Sequence, residues 1–418
     1  MYAVITAGGK GTRVASVNNS VPKPMLLING KPVLEHQIAC LKRQGITHIT
    51  LTIGHLGEQI RDYFGDGSRF DVKIDYLWED VPLGTAGALY ELKGRVQEDF
   101  LLINGDLIFD VDMHRLMKFH QDHHAVATLL VHPNDHPYDS GLVVAEADGC
   151  VTGWLTKEDK RGWYRNCVNA GIHVISPWLL DQIPVRQKTD LDRDLLRPQI
   201  PSGAVYAYQS PEYVKDMGTP ERIATVERDL DSGLVGKKNM SQSQRAIFLD
   251  RDGTINHYVG FLRRPEEFEL LDGVAEAICA INRSGYLAII ATNQPVIARG
   301  EVSWVQLDEI HRKMETLLGE KGAYIDDAFI CPHHPDRGFA GEVPEYKVDC
   351  DCRKPKPGLL IQAAEKYNID LTKSWMIGDN ASDDAAGLAA GCRTMTVSDA
   401  FSLRDAIEQI RQEEKWNT

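Results

Sequence analysis

Ala246-Ile247-Phe248-Leu249-Asp250-Arg251-Asp252-Gly253-Thr254-Ile255-Asn256 is the stretch that decides the architecture. It begins with four apolar residues in an unbroken run. A strand buried on both faces reads this way, and parallel sheets covered by helices supply such strands. The run stops on an aspartate, and a second carboxylate follows two residues later. Gly253 permits a sharp turn, so the two carboxylates can converge on one ligand. Strand C-termini are where α/β sheets present their ligand sites.

Outward from this stretch the pattern repeats. Helix-like residues 274–283 lead to strand-like 286–291, and helix-like 305–318 lead to 325–330. Residues 357–367, 375–378 and 383–390 continue the alternation, which predicts a parallel sheet. Upstream, the stretch DSGLVGKKNMSQSQ (231–244) is polar, with two glycines and three serines. It reads as a linker, set at residues 233–244. Before it, short apolar runs at 4–6, 49–53 and 101–103 alternate with amphipathic stretches at 33–44 and 56–64, and 220–230 reads as a closing helix. The expectation is α/β with two domains, residues 1–232 and 245–418, the first with a mainly parallel sheet.

Composition agrees with two soluble enzyme domains. The chain has 418 residues, enough for two or three domains of ordinary size. Sixty acids against 46 bases give a net charge of −14, which disfavours a general nucleic-acid binder. A few local donors still suffice to hold phosphates. No apolar run reaches the ~18 residues of a membrane span. Met1–Thr6 lacks the basic region and long apolar core of a signal peptide, so a cytoplasmic protein acting on small molecules is expected, with its oligomeric state left open. Eight cysteines are too few for a disulfide scaffold.

In the first half, residues 4–6 run into Ala7-Gly8-Gly9-Lys10-Gly11-Thr12-Arg13. The glycines allow backbone amides to approach phosphate oxygens, and Arg13 adds a charged fork. The spacing is neither Walker A nor Gly-x-Gly-x-x-Gly. Pro22-Lys23-Pro24-Met25 mounts a lysine between two prolines. Pro82-Leu83-Gly84-Thr85-Ala86-Gly87-Ala88 is a second glycine-rich turn. Asn104-Gly105-Asp106 ends an apolar run, and Asn169-Ala170-Gly171 and Asp216-Met217-Gly218-Thr219-Pro220 follow.

In this order, over residues 1–230, these motifs resemble the sugar nucleotidyltransferases. Residues 13–17 with 21–25 are most similar to the heptose-1-phosphate guanylyltransferase branch. The resemblance implies a Rossmann-like, GT-A-like domain. It puts Gly8, Gly9, Gly11, Thr12 and Arg13 at the nucleotide phosphates and Lys23 at the α-phosphate. Gly84 and Thr85 fall near base or sugar, Asn169 and Gly171 at the sugar, and Lys157 at the sugar phosphate, with Lys160 as its rival. Asp106 and Asp216 would bind Mg²⁺. A sugar 1-phosphate attacks the α-phosphorus of a nucleoside triphosphate and pyrophosphate leaves. Both reactants are anions, so cations at these positions lower the barrier.

In the second half, Asp250 and Asp252 are followed by Thr292 with Asn293, by Arg353-Lys354, and by Asp379. Asp, Thr, Lys and Asp at strand ends in that order resemble the haloacid-dehalogenase-type phosphatases, which implies a Rossmannoid domain. By that resemblance Asp250 is the nucleophile. Asp252 protonates the leaving alkoxide and then activates water. Thr292 and Lys354 bind the phosphoryl group, and Asp250, Asp379 and the Asp252 carbonyl hold Mg²⁺, supported by Asp383. Cys331-Pro332-His333-His334 with Cys350-Asp351-Cys352 forms a Cys₃His set of the structural zinc type, with Cys331, His333, Cys350 and Cys352 as ligands.

The runs 248–256, 293–300 and 350–357 further resemble the D-glycero-D-manno-heptose-1,7-bisphosphate 7-phosphatases, whose kin are histidinol-phosphate phosphatases. Pro295-Val296 stands where that family usually has Ser-Gly. Asn293 is a candidate substrate contact, and Arg299 and Arg353 are candidates for the non-reacting phosphate. The two resemblances imply one bifunctional enzyme. It would remove the 7-phosphate of heptose 1,7-bisphosphate, then couple heptose 1-phosphate to GTP to give GDP-heptose. The alternative has the phosphatase half acting on histidinol phosphate or another sugar phosphate, and the transferase half using a different triphosphate or a hexose 1-phosphate.

Overall fold

The computed structural model describes residues 1–8, 21–338 and 340–416. Backbone proximity divides the chain into two units. The first comprises Met1–His132, Val143–Leu155 and Asn169–Asn239; the second comprises Pro133–Leu142, Thr156–Val168 and Met240–Thr418.

The first unit is built on a nine-stranded mixed sheet among the described residues. Its middle is parallel: Tyr2–Thr6 lies between His48–Ile53 and Phe100–Asn104, and Lys73–Trp78 pairs outside His48–Ile53. Ala3, Val4 and Ile5 are fully buried, as a strand covered on both faces requires. Val168–Ile175 then pairs antiparallel with Phe100–Asn104, so the sheet departs from the mainly parallel expectation on that side. Helix Val33–Arg43 buries Val33, Leu34, Gln37, Ile38, Cys40 and Leu41 at helical spacing against the sheet core. A separate pair, Leu107–Asp110 with Tyr213–Asp216, sets Asp216 opposite Leu107.

The second unit holds a five-stranded parallel sheet in the order Asp327–Cys331, Leu287–Asn293, Ala246–Leu249, Trp375–Gly378, Arg393–Thr396. The central strand is buried throughout. Its three large side chains each contribute about 1.5–3 kcal/mol of burial. Helices Val274–Ser284, Trp304–Glu320, Gly358–Tyr367 and Ala381–Ala390 follow the strands in turn, as the alternation predicts. Three helix starts among the described residues are capped reciprocally, Ser303 with Gln306, Asn380 with Asp383 and Ser402 with Asp405.

The chain passes from the first unit to the second at Asn239/Met240, inside the stretch read as a linker, but two features were not expected from sequence. Residues 133–142 and 156–168 interrupt the first half, yet pack within the second unit. The cause is polar: Arg165 reaches Asp308 at 2.8 Å and Glu315 at 2.5 Å, and the Tyr164 amide donates to Thr316 Oγ1 at 3.0 Å. The stretch 233–244 is also structured. Leu234–Lys237 is helical, and Lys238, Asn239, Met240 and Gln244 are buried. Asn239 donates to Asp110 at 2.8 Å, and Gln244 exchanges backbone bonds with Asn368 and Asp370 at 2.8 Å. Polar composition misleads here because amide side chains and backbone find buried partners. No helix among the described residues is long and apolar enough to cross a membrane.

Candidate active sites

In the second unit, three neighbouring parallel strands end together. Asp250 follows Ala246–Leu249, Thr292 lies near the end of Leu287–Asn293, and Asp379 follows Trp375–Gly378. The Asp250 amide donates to the Ile377 carbonyl at 2.9 Å, which holds the first and third ends in register. Gly253 takes φ +84°, and a Cβ there would lie 2.2 Å from Asp379 Oδ2. Only glycine allows both the turn and that approach.

Lys354 is buried, with its ammonium 2.7 Å from Asp250 Oδ1 and 2.6 Å from Asp383 Oδ1. Asn293 clamps its backbone: the Lys354 amide donates to Asn293 Oδ1 at 3.1 Å, and Asn293 Nδ2 donates to the Lys354 carbonyl at 3.0 Å. The Asn293 amide, read in sequence as a substrate contact, therefore holds the lysine. Burial alone would lower the pKa of Lys354, but Asp250 and Asp383 outweigh it and raise it. Burial, with repulsion from Asp250, lifts Asp379 above the usual carboxylate range. Asp383 is raised as well, because its burial exceeds the pull of Lys354.

Asp250, Asp379 and Asp383 offer carboxylate oxygens within 4.8 Å of one another. Three carboxylates facing one ammonium leave an excess of negative charge, and hard oxygen donors suit Mg²⁺. The Asp252 carboxylate turns elsewhere. Arg251 donates to it at 2.8 Å, Gln294 Nε2 at 2.8 Å and Asn256 Nδ2 at 3.1 Å. Burial raises its pKa, but Arg251 and these amides outweigh that and hold it below the ordinary value. Any part of Asp252 in a metal shell would thus be its backbone carbonyl.

Cys331, His333, Cys350 and Cys352 form a second cluster. Cys331 Sγ lies 3.5 Å from Cys350 Sγ and 3.7 Å from His333 Nδ1; Cys352 Sγ lies 3.4 Å from His333 Nδ1 and 3.2 Å from Cys350 Sγ. A tetrahedral zinc site spaces its donors about 3.5–3.8 Å apart, given Zn–S near 2.3 Å; two of these separations match and two are shorter by about 0.1–0.3 Å, so the residue types and their gathering suit zinc. All eight cysteines are free thiols. His334 Nδ1 instead accepts from the Asp336 amide at 3.2 Å. Arg353 donates to the His333 carbonyl at 3.1 Å, which ties this loop to the residue before Lys354. Arg299 stacks over the Phe261 ring at 4.2 Å. Val296 fills an apolar cluster with Ile297, Val302 and Leu307, so the Pro295-Val296 departure is a packing change.

In the first unit the corresponding strand ends are those of Tyr2–Thr6 and Phe100–Asn104. Gly105 donates its amide to the Thr6 carbonyl at 3.0 Å, and a Cβ on it would lie 2.6 Å from that oxygen. Met217 donates its amide to the Asp106 carbonyl at 2.8 Å, which brings the Asp106 and Asp216 segments side by side. Lys23 stands 3.4 Å from Asp106, and Arg222 holds Asp216 at 2.7 Å. Two carboxylates at adjoining strand ends are a usual protein share of a Mg²⁺ site completed by substrate phosphates. Gly171 has φ +76°, and a Cβ there would lie 2.4 Å from Asn104 Nδ2; its amide donates to Asn169 Oδ1 at 3.2 Å.

Gly84 and Thr85 are tied to the segment 187–191. A Cβ on Gly84 would lie 2.5 Å from the Thr189 carbonyl, and Thr85 Oγ1 accepts from the Leu191 amide at 2.7 Å. Gly9, Gly11, Thr12 and Arg13 lie outside the described residues. Gly8 is described, and a Cβ on it would meet the Glu79 carboxyl at 3.3 Å. Glu79 also borders a cavity of about 390 Å³, lined further by Gly54, Leu56, Gln59 and Trp78. Its Oε2 accepts from the Leu83 amide at 3.2 Å, and burial raises its pKa. Lys157 and Lys160 lie in the segment that packs within the second unit. Sequence reasoning passed over Glu79, Arg251, Gln294 and His311. For Glu79 the available signal was a carboxylate just before the second glycine-rich turn.

Residues 2–233 match the nucleotidyl transferase family, and residues 351–416 match the HAD-hydrolase-like family. The chain is 41% identical over 155 residues to the D-glycero-beta-D-manno-heptose-1,7-bisphosphate 7-phosphatase of Yersinia pestis, covering 37% of this chain and 80% of that one. It is 42% identical over 149 residues to the protein of the same name from Vibrio cholerae, covering 36% and 78%. Among solved structures, HddC from Yersinia pseudotuberculosis complexed with GMP-PN aligns with a TM-score of 0.49 at 26% identity, covering 55% of this chain and 99% of that one.

Proposed function

Because the chain belongs to the nucleotidyl transferase family over residues 2–233, and its C-terminal part to the D-glycero-beta-D-manno-heptose-1,7-bisphosphate 7-phosphatases, we propose that it performs two consecutive steps of GDP-heptose synthesis. The second unit hydrolyses the 7-phosphate of D-glycero-D-manno-heptose 1,7-bisphosphate. The first unit transfers GMP from GTP to the heptose 1-phosphate so formed and releases pyrophosphate. The observation that carries this is the presence of both families on one chain, the product of one being the acceptor of the other.

In the phosphatase, Asp250 attacks phosphorus and the P–O bond to the sugar breaks. Asp252 rests ionised, takes up a proton as the arriving phosphate dianion raises its pKa, passes that proton to the leaving alkoxide, and then takes one from the water that cleaves the aspartyl phosphate. Thr292 and Lys354 hold the transferring oxygens. Lys354 is well placed for this, since it already neutralises Asp250. In the transferase, the sugar phosphate is itself the nucleophile. Arg13 and Lys23 offset the repulsion between the two anions, and Asn169 and Gly171 orient the sugar. Glu79 is suited to guanine, whose N1–H and exocyclic amine are adjacent donors for one carboxylate.

Mg²⁺, bound by Asp250 and Asp379 in one site and by Asp106 and Asp216 in the other, supplies further charge neutralisation. Zn²⁺ at Cys331, His333, Cys350 and Cys352 is structural and holds the loop that leads into Arg353 and Lys354. A cytoplasmic location belongs to the same proposal, in keeping with small charged substrates.

Incubation with heptose 1,7-bisphosphate, GTP and Mg²⁺ should yield phosphate, pyrophosphate and a GDP-heptose mass. Elemental analysis of the same preparation should find one zinc per chain. Absence of GDP-heptose, or phosphate release that favours histidinol phosphate, overturns the reading.

A further inference from the structure

We propose that Arg251, seated on His311 and Gln294, is a positioning residue that holds Asp252 for proton transfer to the leaving group. This rests on the phosphatase reading above. The side chain of Arg251 is 0% exposed, while that of Asp252 keeps 19%. A buried guanidinium is tolerated only when its donors are spent, and here each nitrogen has a partner. Nε and Nη2 donate to Asp252 at 3.2 and 2.8 Å, Nη2 also donates to Gln294 Oε1 at 3.1 Å, and Nη1 meets His311 Nε2 at 3.1 Å.

Gln294 extends the arrangement. Its Nε2 donates to Asp252 Oδ2 at 2.8 Å and to Thr292 Oγ1 at 3.1 Å. One amide therefore joins the proton donor to a phosphoryl-binding hydroxyl. His311 comes from helix Trp304–Glu320, far along the chain, and is itself fully buried. It accepts from Arg251 only as a neutral ring with its proton on Nδ1, and burial favours that form. The fork of Arg251 cannot rotate without breaking the His311 and Gln294 contacts, and the Asp252 carboxylate is bound to that fork. The orientation of Asp252 is thus set by Arg251, Gln294 and Asn256, none of which is assigned to substrate binding above. A lysine could not reproduce it, because a point charge lacks the planar fork.

A residue that merely fills the interior and a residue that aims the proton donor give different results with different leaving groups. A sugar alkoxide needs a proton to depart; p-nitrophenolate does not. The ratio kcat/KM reports phosphoryl transfer to Asp250 and leaving-group departure, free of the later hydrolysis. For Arg251→Met we expect kcat/KM to fall about a hundredfold with heptose 1,7-bisphosphate, and less than about threefold with p-nitrophenyl phosphate. Should Arg251→Met fail to fold, His311→Leu is expected to give the same leaving-group signature at about tenfold, and His311→Gln, which keeps an acceptor for Nη1, to restore most of it. Equal losses with both esters overturn the positioning role of Arg251. A wild-type protein that hydrolyses neither ester overturns the phosphatase reading itself, which is a distinguishable result.

Discussion

At the strand ends of the second unit, Lys354 is buried between Asp250 and Asp383 at 2.7 and 2.6 Å. At those of the first unit, Lys23 stands 3.4 Å from Asp106, and their side chains keep 18% and 33% of their exposure. On the proposed mechanism, the difference follows from where the nucleophile comes from. In the phosphatase it belongs to the chain, so its charge must be balanced before substrate arrives. In the transferase both reactants enter from solution, so the cations must stay accessible to them. The first site is an assembled electrostatic network, and the second is a set of strand ends and glycine turns shaped for bound anions.

The comparison breaks most visibly if the sites are not separable. Asp250→Asn should cut phosphate release by roughly 10⁴-fold or more, because the bond-forming group is gone. Pyrophosphate release should stay within about twofold. Asp106→Ala should do the reverse, with a loss of roughly 10²–10³-fold in nucleotidyl transfer. Loss of both activities from either change, in a chain with unaltered circular dichroism, would refute independent sites.

Stability sharpens the same contrast. Lys354→Met leaves two buried carboxylates without their cation and should cost about 3–5 kcal/mol. Lys23→Met removes a long, half-open pair and should cost less than about 1 kcal/mol. Urea midpoints of the two variants measure this, and comparable losses would contradict the assignment of one site as assembled and the other as open.

A further effect, smaller than that of Lys354→Met, is in acid. Burial pushes His173, on the strand Val168–Ile175, down to about 4. The unfolded chain protonates near 6.5 and the folded one does not, so stability is full above that pH and falls toward about 4. Between pH 7 and pH 5 the loss from this group is about 2 kcal/mol. His173→Leu should flatten that part of the curve in urea titrations; an unchanged slope would show that other groups dominate it.

Much of the fold was legible because its signals are local. Ala246–Leu249 and Trp375–Gly378 match their expected bounds, since a buried parallel strand is a short apolar run cut off by polar residues. The Cys331, His333, Cys350 and Cys352 set could be read from spacing, because metal-ligand residue types are scarce and close in sequence. Residues 156–168 were not legible, because Arg165 finds Asp308 and Glu315 more than 140 positions away. The 233–244 stretch does hold the break between the units, but its order was not legible, because polar composition does not reveal whether amides will be buried and paired. Asn293 was read as a substrate contact; that its side chain bonds the Lys354 backbone across a strand end was not legible, because the two lie 61 positions apart.

The sequence by itself determined the class of chemistry in each half, since carboxylates, lysines and glycines at strand ends carry that chemistry wherever the ends converge. It also determined the α/β alternation, through periodicity that burial imposes locally. Only the tertiary structure decided how the charges are shared: that Asp383 joins Asp250 on Lys354, that Asp252 faces Arg251, and that His311 stands behind it. Those pairings are set by which side chains meet in a desolvated interior. That depends on packing between distant segments, and no local pattern encodes it.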